Sequence, residues 1–171
     1  MEQNQTQRNK SASYIRSFVF GVEDSLVSTV GLLSGVAITG ASAKTIFVTG
    51  IVLIFVEAFS MGAGSFLAEH SADDYEFKSA PSARKSMLDG LIMFVSYFIA
   101  GFIPLSPYLM TEPGAAFPIS IAASLIALFF LGIASAKMSD APMARSSLRM
   151  LIVGGTAIGV GIAAGSIAAN L

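Results

Sequence analysis

The sequence predicts an all-α integral membrane protein of five transmembrane helices, with the N-terminus in the cytoplasm and the C-terminus on the opposite side. Three observations carry that expectation. The 171-residue chain is 54% hydrophobic and only 12% charged, with a mean hydropathy of +0.72, whereas a soluble domain keeps about a quarter of its residues charged. Its apolar residues come in long blocks rather than at amphipathic spacing, the pattern that a lipid solvent selects. Its basic residues fall almost entirely on one side of those blocks.

A hydrocarbon core about 30 Å thick is spanned by about 20 helical residues. Five blocks reach that length, at about 15–39, 45–68, 87–110, 115–136 and 148–169. They form a single transmembrane domain, 15–171, behind a polar cytoplasmic tail, 1–14. The tail is polar and the first block is too long for a signal h-region, so no cleavable signal peptide is expected. Among the connections only 69–86 is long enough to extend a helix, and Pro81 should stop such an extension. Pro104 and Pro107 should kink or end the third helix near one membrane face. With the N-terminus inside, Arg8, Lys10, Arg16, Lys78, Arg84, Lys85, Lys137, Arg145 and Arg149 lie in the cytoplasm and Lys44 alone lies outside, which fixes the orientation by the positive-inside rule.

Several classes are excluded. A net charge of −1 gives no bulk attraction to nucleic acid. The absence of cysteine removes disulfides, thiolate metal sites and cysteine nucleophiles. Intramembrane proteolysis would need an HExxH motif, a Ser–His pair or two membrane aspartates, so no enzyme and no bound cofactor are expected.

The chemistry is concentrated in acids at spanning depth. Each costs about 2.5–3.5 kcal/mol on insertion scales and therefore points to function. Glu23 and Asp24 lie in the first block and Glu57 in the second, with no basic residue expected at comparable depth. An unpaired acid there must be protonated, face water or hold a cation; Glu23, nearest the boundary, has simple solvation as its bland alternative. Asp24, Ser28, Gly31 and Gly35 share one helical face, and Gly31-x-x-x-Gly35 is the small-residue step that lets membrane helices approach, within one chain or between two. Glu57, Met61, Gly64 and Ala68 share a face of the second helix. A carboxylate and a thioether one turn apart suit Fe²⁺ or Mn²⁺ better than Mg²⁺ or Ca²⁺, and carboxylates can exchange a metal for protons. Glu69, His70, Asp73, Asp74 and Glu76 follow at the cytoplasmic end of that helix, as either an ion-collecting vestibule or a solvated segment balanced by Lys78, Arg84 and Lys85.

Four stretches resemble the vacuolar iron transporter family, which includes nodulin-21-like proteins. They are Phe20-Gly21-Val22-Glu23-Asp24-Ser25-Leu26-Val27, Glu57-Ala58-Phe59-Ser60-Met61-Gly62-Ala63-Gly64-Ser65-Phe66-Leu67, Gly101-Phe102-Ile103-Pro104-Leu105-Ser106-Pro107-Tyr108, and Leu131-Gly132 with Gly154-Gly155. The resemblance implies a five-helix homodimer whose ion path lies between the copies, lined by the first helix. It implies export of Fe²⁺ or Mn²⁺ from the cytosol, coupled to protons, with Asp24 and Met61 at the family's ion-passage positions. The membrane would be the plasma (inner) membrane in a prokaryote, or a vacuolar or other endomembrane in a eukaryote. Two departures stand out. The glutamate-rich metal-binding domain that many members carry between helices two and three is here only the segment 69–86, so this is a short form. The family's helix-two glutamate two turns before the methionine is Leu53 here, while Glu57 lies one turn before Met61. The alternative is a membrane scaffold or assembly subunit whose acids pair with bases of a partner.

Overall fold

In hydrocarbon each backbone N–H and C=O must find its partner within the segment, so uninterrupted apolar runs become helices. The computed structural model describes residues 2–77, 83–139 and 141–170, with side chains described from residue 11 onward except at 73, 74, 76, 77 and 83. The elements are α1 (Glu2–Ile38), α2 (Ala43–Phe77), α3 (Ala83–Leu105), the single turn α4 (Pro107–Met110), α5 (Pro113–Met138) and α6 (Met143–Ala168). Five of these contain stretches long and apolar enough to cross a membrane: Ser11–Ile38, Ala43–Ala72, Arg84–Leu105, Pro113–Met138 and Met143–Ala168. The chain is a multi-pass membrane protein.

Local chemistry sets the breaks. After α1 the chain reverses through Gly40 at φ 77°, a left-handed conformation that costs glycine least. Ser42 then caps α2 by accepting the Thr45 N–H at 3.2 Å. The third block ends at Leu105 rather than near 110, because Pro104 lies in its last turn and Pro107 starts α4. The Ser120 hydroxyl donates to the Pro104 carbonyl at 2.6 Å and ties that break to α5. Pro81, expected to stop the extension of α2, lies outside the described residues. The last span begins at Met143, several residues before the expected 148, so Arg149 stands inside α6.

α1 is the hub and packs against each of the other four spans. Leu33 joins Ile46, Ile54 and Leu105 in one buried apolar cluster, and Leu26 joins Ala100, Leu128 and Met150 in another. Its contact with α6 is backbone to backbone. A Cβ built on Gly161 would meet the Gly31 carbonyl, and one on Gly165 would meet that of Gly35. The Gly31–Gly35 step therefore packs against α6 of the same chain, which is the within-chain form of the small-residue contact. Opposite the core, α2 turns Val56 and Phe59 outward, with Phe59 71% exposed, as a lipid-facing surface requires.

Replacing Gly161 by leucine should force α1 and α6 apart at a cost of about 1–3 kcal/mol. The measurement is thermal unfolding of detergent-solubilised protein, where a lower midpoint is expected. An unchanged midpoint would contradict the backbone contact.

Candidate functional site

One face of α1 is left partly open by this packing. Ser17, Phe20, Asp24, Ser28, Gly31 and Gly35 follow one another at steps of three or four and so form a single stripe. Toward the start of α1, Ser17 and Phe20 border a groove of about 840 Å³ whose α2 wall includes Met61, Gly64 and Ala68. Toward the end of α1, Ser28, Gly31 and Gly35 border a second groove, of about 570 Å³, against Gly161 and Gly165 of α6. Asp24 is the stripe residue between them.

Asp24 and Glu57 are both half-buried, and Glu57 is the charged group that acts on Asp24. Neither is in an ion pair among the described residues. Glu57 and Met61 flank the buried stripe of α2 that includes Ile54, Ala58 and Gly62, and so stand at the edge of the core. Two half-buried acids on different helices thus stand at spanning depth with no ion-pair partner among the described residues. Glu23 differs. The early start of α6 brings Arg149 to bear on it, alongside Asp24. The expectation of no base near these acids is corrected at Glu23, because α6 starts at Met143 and so carries Arg149, expected at the very edge of the fifth block, further into the helix.

The structure adds a residue that sequence pattern does not single out. Tyr97 of α3 is fully buried, its hydroxyl 2.7 Å from the Ser28 hydroxyl, and both Asp24 and Glu57 act on it electrostatically. The Ser25 hydroxyl donates to the Tyr97 carbonyl at 2.6 Å and fixes the α1–α3 register. A tyrosine in an aromatic run (Phe94, Tyr97, Phe98, Phe102) reads as core, and only the packing brings its hydroxyl to the acids.

At the start of α1 the vestibule residues separate. Glu69 accepts from Arg16 at 3.2 Å and is also paired with Lys85. His70 stacks on Phe66 and its Nδ1 is buried without a hydrogen-bond partner; it does not reach Asp24 or Glu57 by any contact. The side chains of Asp73, Asp74 and Glu76 lie outside the described residues. Asp89 of α3, 1% exposed, receives the Ser13 hydroxyl at 3.1 Å on both carboxylate oxygens and that of Ser17 at 3.1 Å. It is an acid inside the third block that the sequence reading passed over, and its hydroxyl partners make it a tie between α1 and α3. Among the described residues no three His, Cys, Asp or Glu side chains come together as a group that could hold a metal ion.

A sequence model of the VIT family matches residues 15–89 and 76–166 of this chain. The chain is similar to "Vacuolar iron transporter homolog 4" of Arabidopsis thaliana, 26% identical over 163 residues, covering 89% of this chain and 82% of the relative. It is similar to "Vacuolar iron transporter homolog 1" of Oryza sativa subsp. japonica, 27% identical over 165 residues, covering 87% and 71%. "Vacuolar iron transporter 1" of Arabidopsis thaliana is 21% identical over 203 residues, covering 84% and 81%.

Asp89→Ala should remove the acceptor shared by Ser13 and Ser17 and cost about 1.5–3 kcal/mol, the usual worth of hydrogen bonds to a charged group. Thermal unfolding in detergent checks it, with the Asp24→Asn variant, which loses no ion pair, expected to stay near wild type.

Proposed function

The chain belongs to the VIT family, and on that premise we propose that it carries a divalent transition metal ion, Fe²⁺ or Mn²⁺, across the membrane in exchange for protons. One observation carries this reading: Asp24 and Glu57 are half-buried at spanning depth and have no ion-pair partner among the described residues. Charged carboxylates in that setting need a counter-charge, and a mobile cation is the counter-charge that a transporter supplies.

The steps follow from the groups present. With protons bound, both acids are neutral and compatible with their surroundings. An incoming divalent ion displaces protons and is held by carboxylate oxygens, with the Met61 thioether as a softer ligand one turn from Glu57. That mixture favours Fe²⁺ or Mn²⁺ over Mg²⁺ or Ca²⁺. Protons arriving from the other side return the acids to neutrality and release the ion. Tyr97, whose hydroxyl is joined to Ser28, is suited to hold the acids' surroundings in place. The stripe on α1 is half-open in a single chain, so a second copy laid against it would close the two grooves into a path, which supports a homodimer. The positive-inside count supports a cytoplasmic N-terminus, movement out of the cytosol is what the resemblance to the family implies, and carriage of an ion without bond-making supports a non-enzymatic role.

In proteoliposomes with an imposed proton gradient, the wild type should take up Fe²⁺ or Mn²⁺ and collapse of the gradient should slow it. Asp24→Ala should abolish that flux while the protein remains folded and elutes as the wild type does. Full flux in the folded variant would remove Asp24 from the mechanism. Met61→Leu should raise the KM for Fe²⁺ more than for Ca²⁺, in a competition assay with the same vesicles.

A further inference from the structure

The groove at the start of α1 has a chemistry of its own. Its mouth holds Arg16 and Glu69, its inner end holds Met61, and Met93 of α3 stands in its wall. The Met93 sulfur would sit 3.2 Å from a Cβ on Gly21, so the glycine is what leaves it room. Hydroxyls of Ser60 and Ser65 line the α2 side. A carboxylate at the mouth, serines along the wall and the Met61 thioether within grade from hard to soft ligands, while Met93 is a packed part of the wall. Glu69 is engaged: its side chain is 12% exposed and paired with Lys85 on α3, while the guanidinium of Arg16, 71% exposed, bridges to it from α1.

Resting on the transport reading above, we infer that this groove is the loading vestibule for the metal ion, and that Arg16 is its gating residue. Glu69 can offer its oxygens to an arriving dication only as the Arg16 bridge lets go. The bridge is the weaker tether of the two, since an exposed ion pair on a long side chain is worth little in water. It is also the one that spans α1 and α2, the two walls of the groove. Lys85 holds Glu69 in position while Arg16 swings clear, so the approaching ion competes with one cation and not two. A dication replaces the monovalent Arg16 at an unchanged carboxylate, and no bond beyond coordination is made.

The absence of cysteine makes the groove testable, because single-cysteine variants report only the chosen position. In vesicles, Ser65→Cys should react with a membrane-impermeant, water-soluble thiol reagent added on the side bearing the N-terminus, and Mn²⁺ should slow that reaction. Phe59→Cys, on the outward face of α2, should stay unlabelled. A Ser65→Cys as inert as Phe59→Cys means that lipid or a packed partner fills the groove, and it overturns the inference even if the wild type transports. Labelling that Mn²⁺ leaves unchanged overturns it as well. For the gate, Arg16→Gln should lower the KM for Mn²⁺ by about 2- to 5-fold and should have no effect when Glu69→Gln is also present. An equal effect in both backgrounds means that Arg16 acts only as surface charge, and the gate falls. If the wild type carries no flux while Mn²⁺ still protects Ser65→Cys, the transport reading fails and the vestibule stands as a metal-binding site.

Discussion

A carboxylate at spanning depth needs a proton, water or a counter-ion, because hydrocarbon offers none of the solvation that keeps it charged at a surface. The arrangement around α1 answers to that constraint. Where a base is at hand the acid is tied down: Glu69 by Arg16 and Lys85, and Glu23 under the influence of Arg149. Where hydroxyls are at hand the acid is built into the core, as at Asp89 with Ser13 and Ser17. Among the described residues Asp24 and Glu57 receive neither, and Asp24 is the acid on the open stripe. The division of labour among the acids follows from what their neighbours supply and not from depth alone.

The open stripe exists because the rest of α1 is committed. Its apolar side fills both buried clusters, Ser25 keys into α3, and the stripe itself closes at its far end, where Gly31 and Gly35 lie against the backbone of α6. Backbone-to-backbone contact matters in lipid, where burying apolar surface gains nothing over contact with acyl chains and helices must adhere by close packing. A helix gripped on three sides is a rigid rail. A moving part, if the ion path opens and closes, is therefore more readily supplied by side chains at the groove mouth or by the mutual position of two copies than by α1 itself.

Much of the fold was legible in the sequence. Five spans follow from block length alone, and the break after the third follows from two prolines that no central helix accommodates without loss of a hydrogen bond. Asp24 and Glu57 were legible as isolated charges in apolar runs. The rest was set by contacts between distant segments. Tyr97 carries no signal, since its role depends on the register that Ser25 fixes. Arg149 reads as a residue at the cytoplasmic edge of the fifth block until α6 is seen to start at Met143, a boundary that small residues there permit by letting Ser147 lie against Gly132. Asp89 could have been found, being an acid just inside an apolar block. Its seryl partners sit more than 70 positions away, so its structural character could not.

The resemblance to the family implies a helix-two glutamate where Leu53 stands, whereas the acid in this chain is Glu57, one turn later. Leu53, Glu57 and Met61 succeed one another by four and so lie on one flank of α2, beside its buried stripe. Moving the acid one turn leaves it on that flank but brings it next to the thioether and within electrostatic reach of Asp24. On the transport reading proposed above, a dication held between Asp24 and Glu57 takes the place of protons on both carboxylates. An acid a further turn away would act as a separate station, with the ion handed from one to the other. On that same reading, the position of Glu57 supports a single shared site at the level of Asp24 over two sites in series, with Met61 toward the groove at the start of α1.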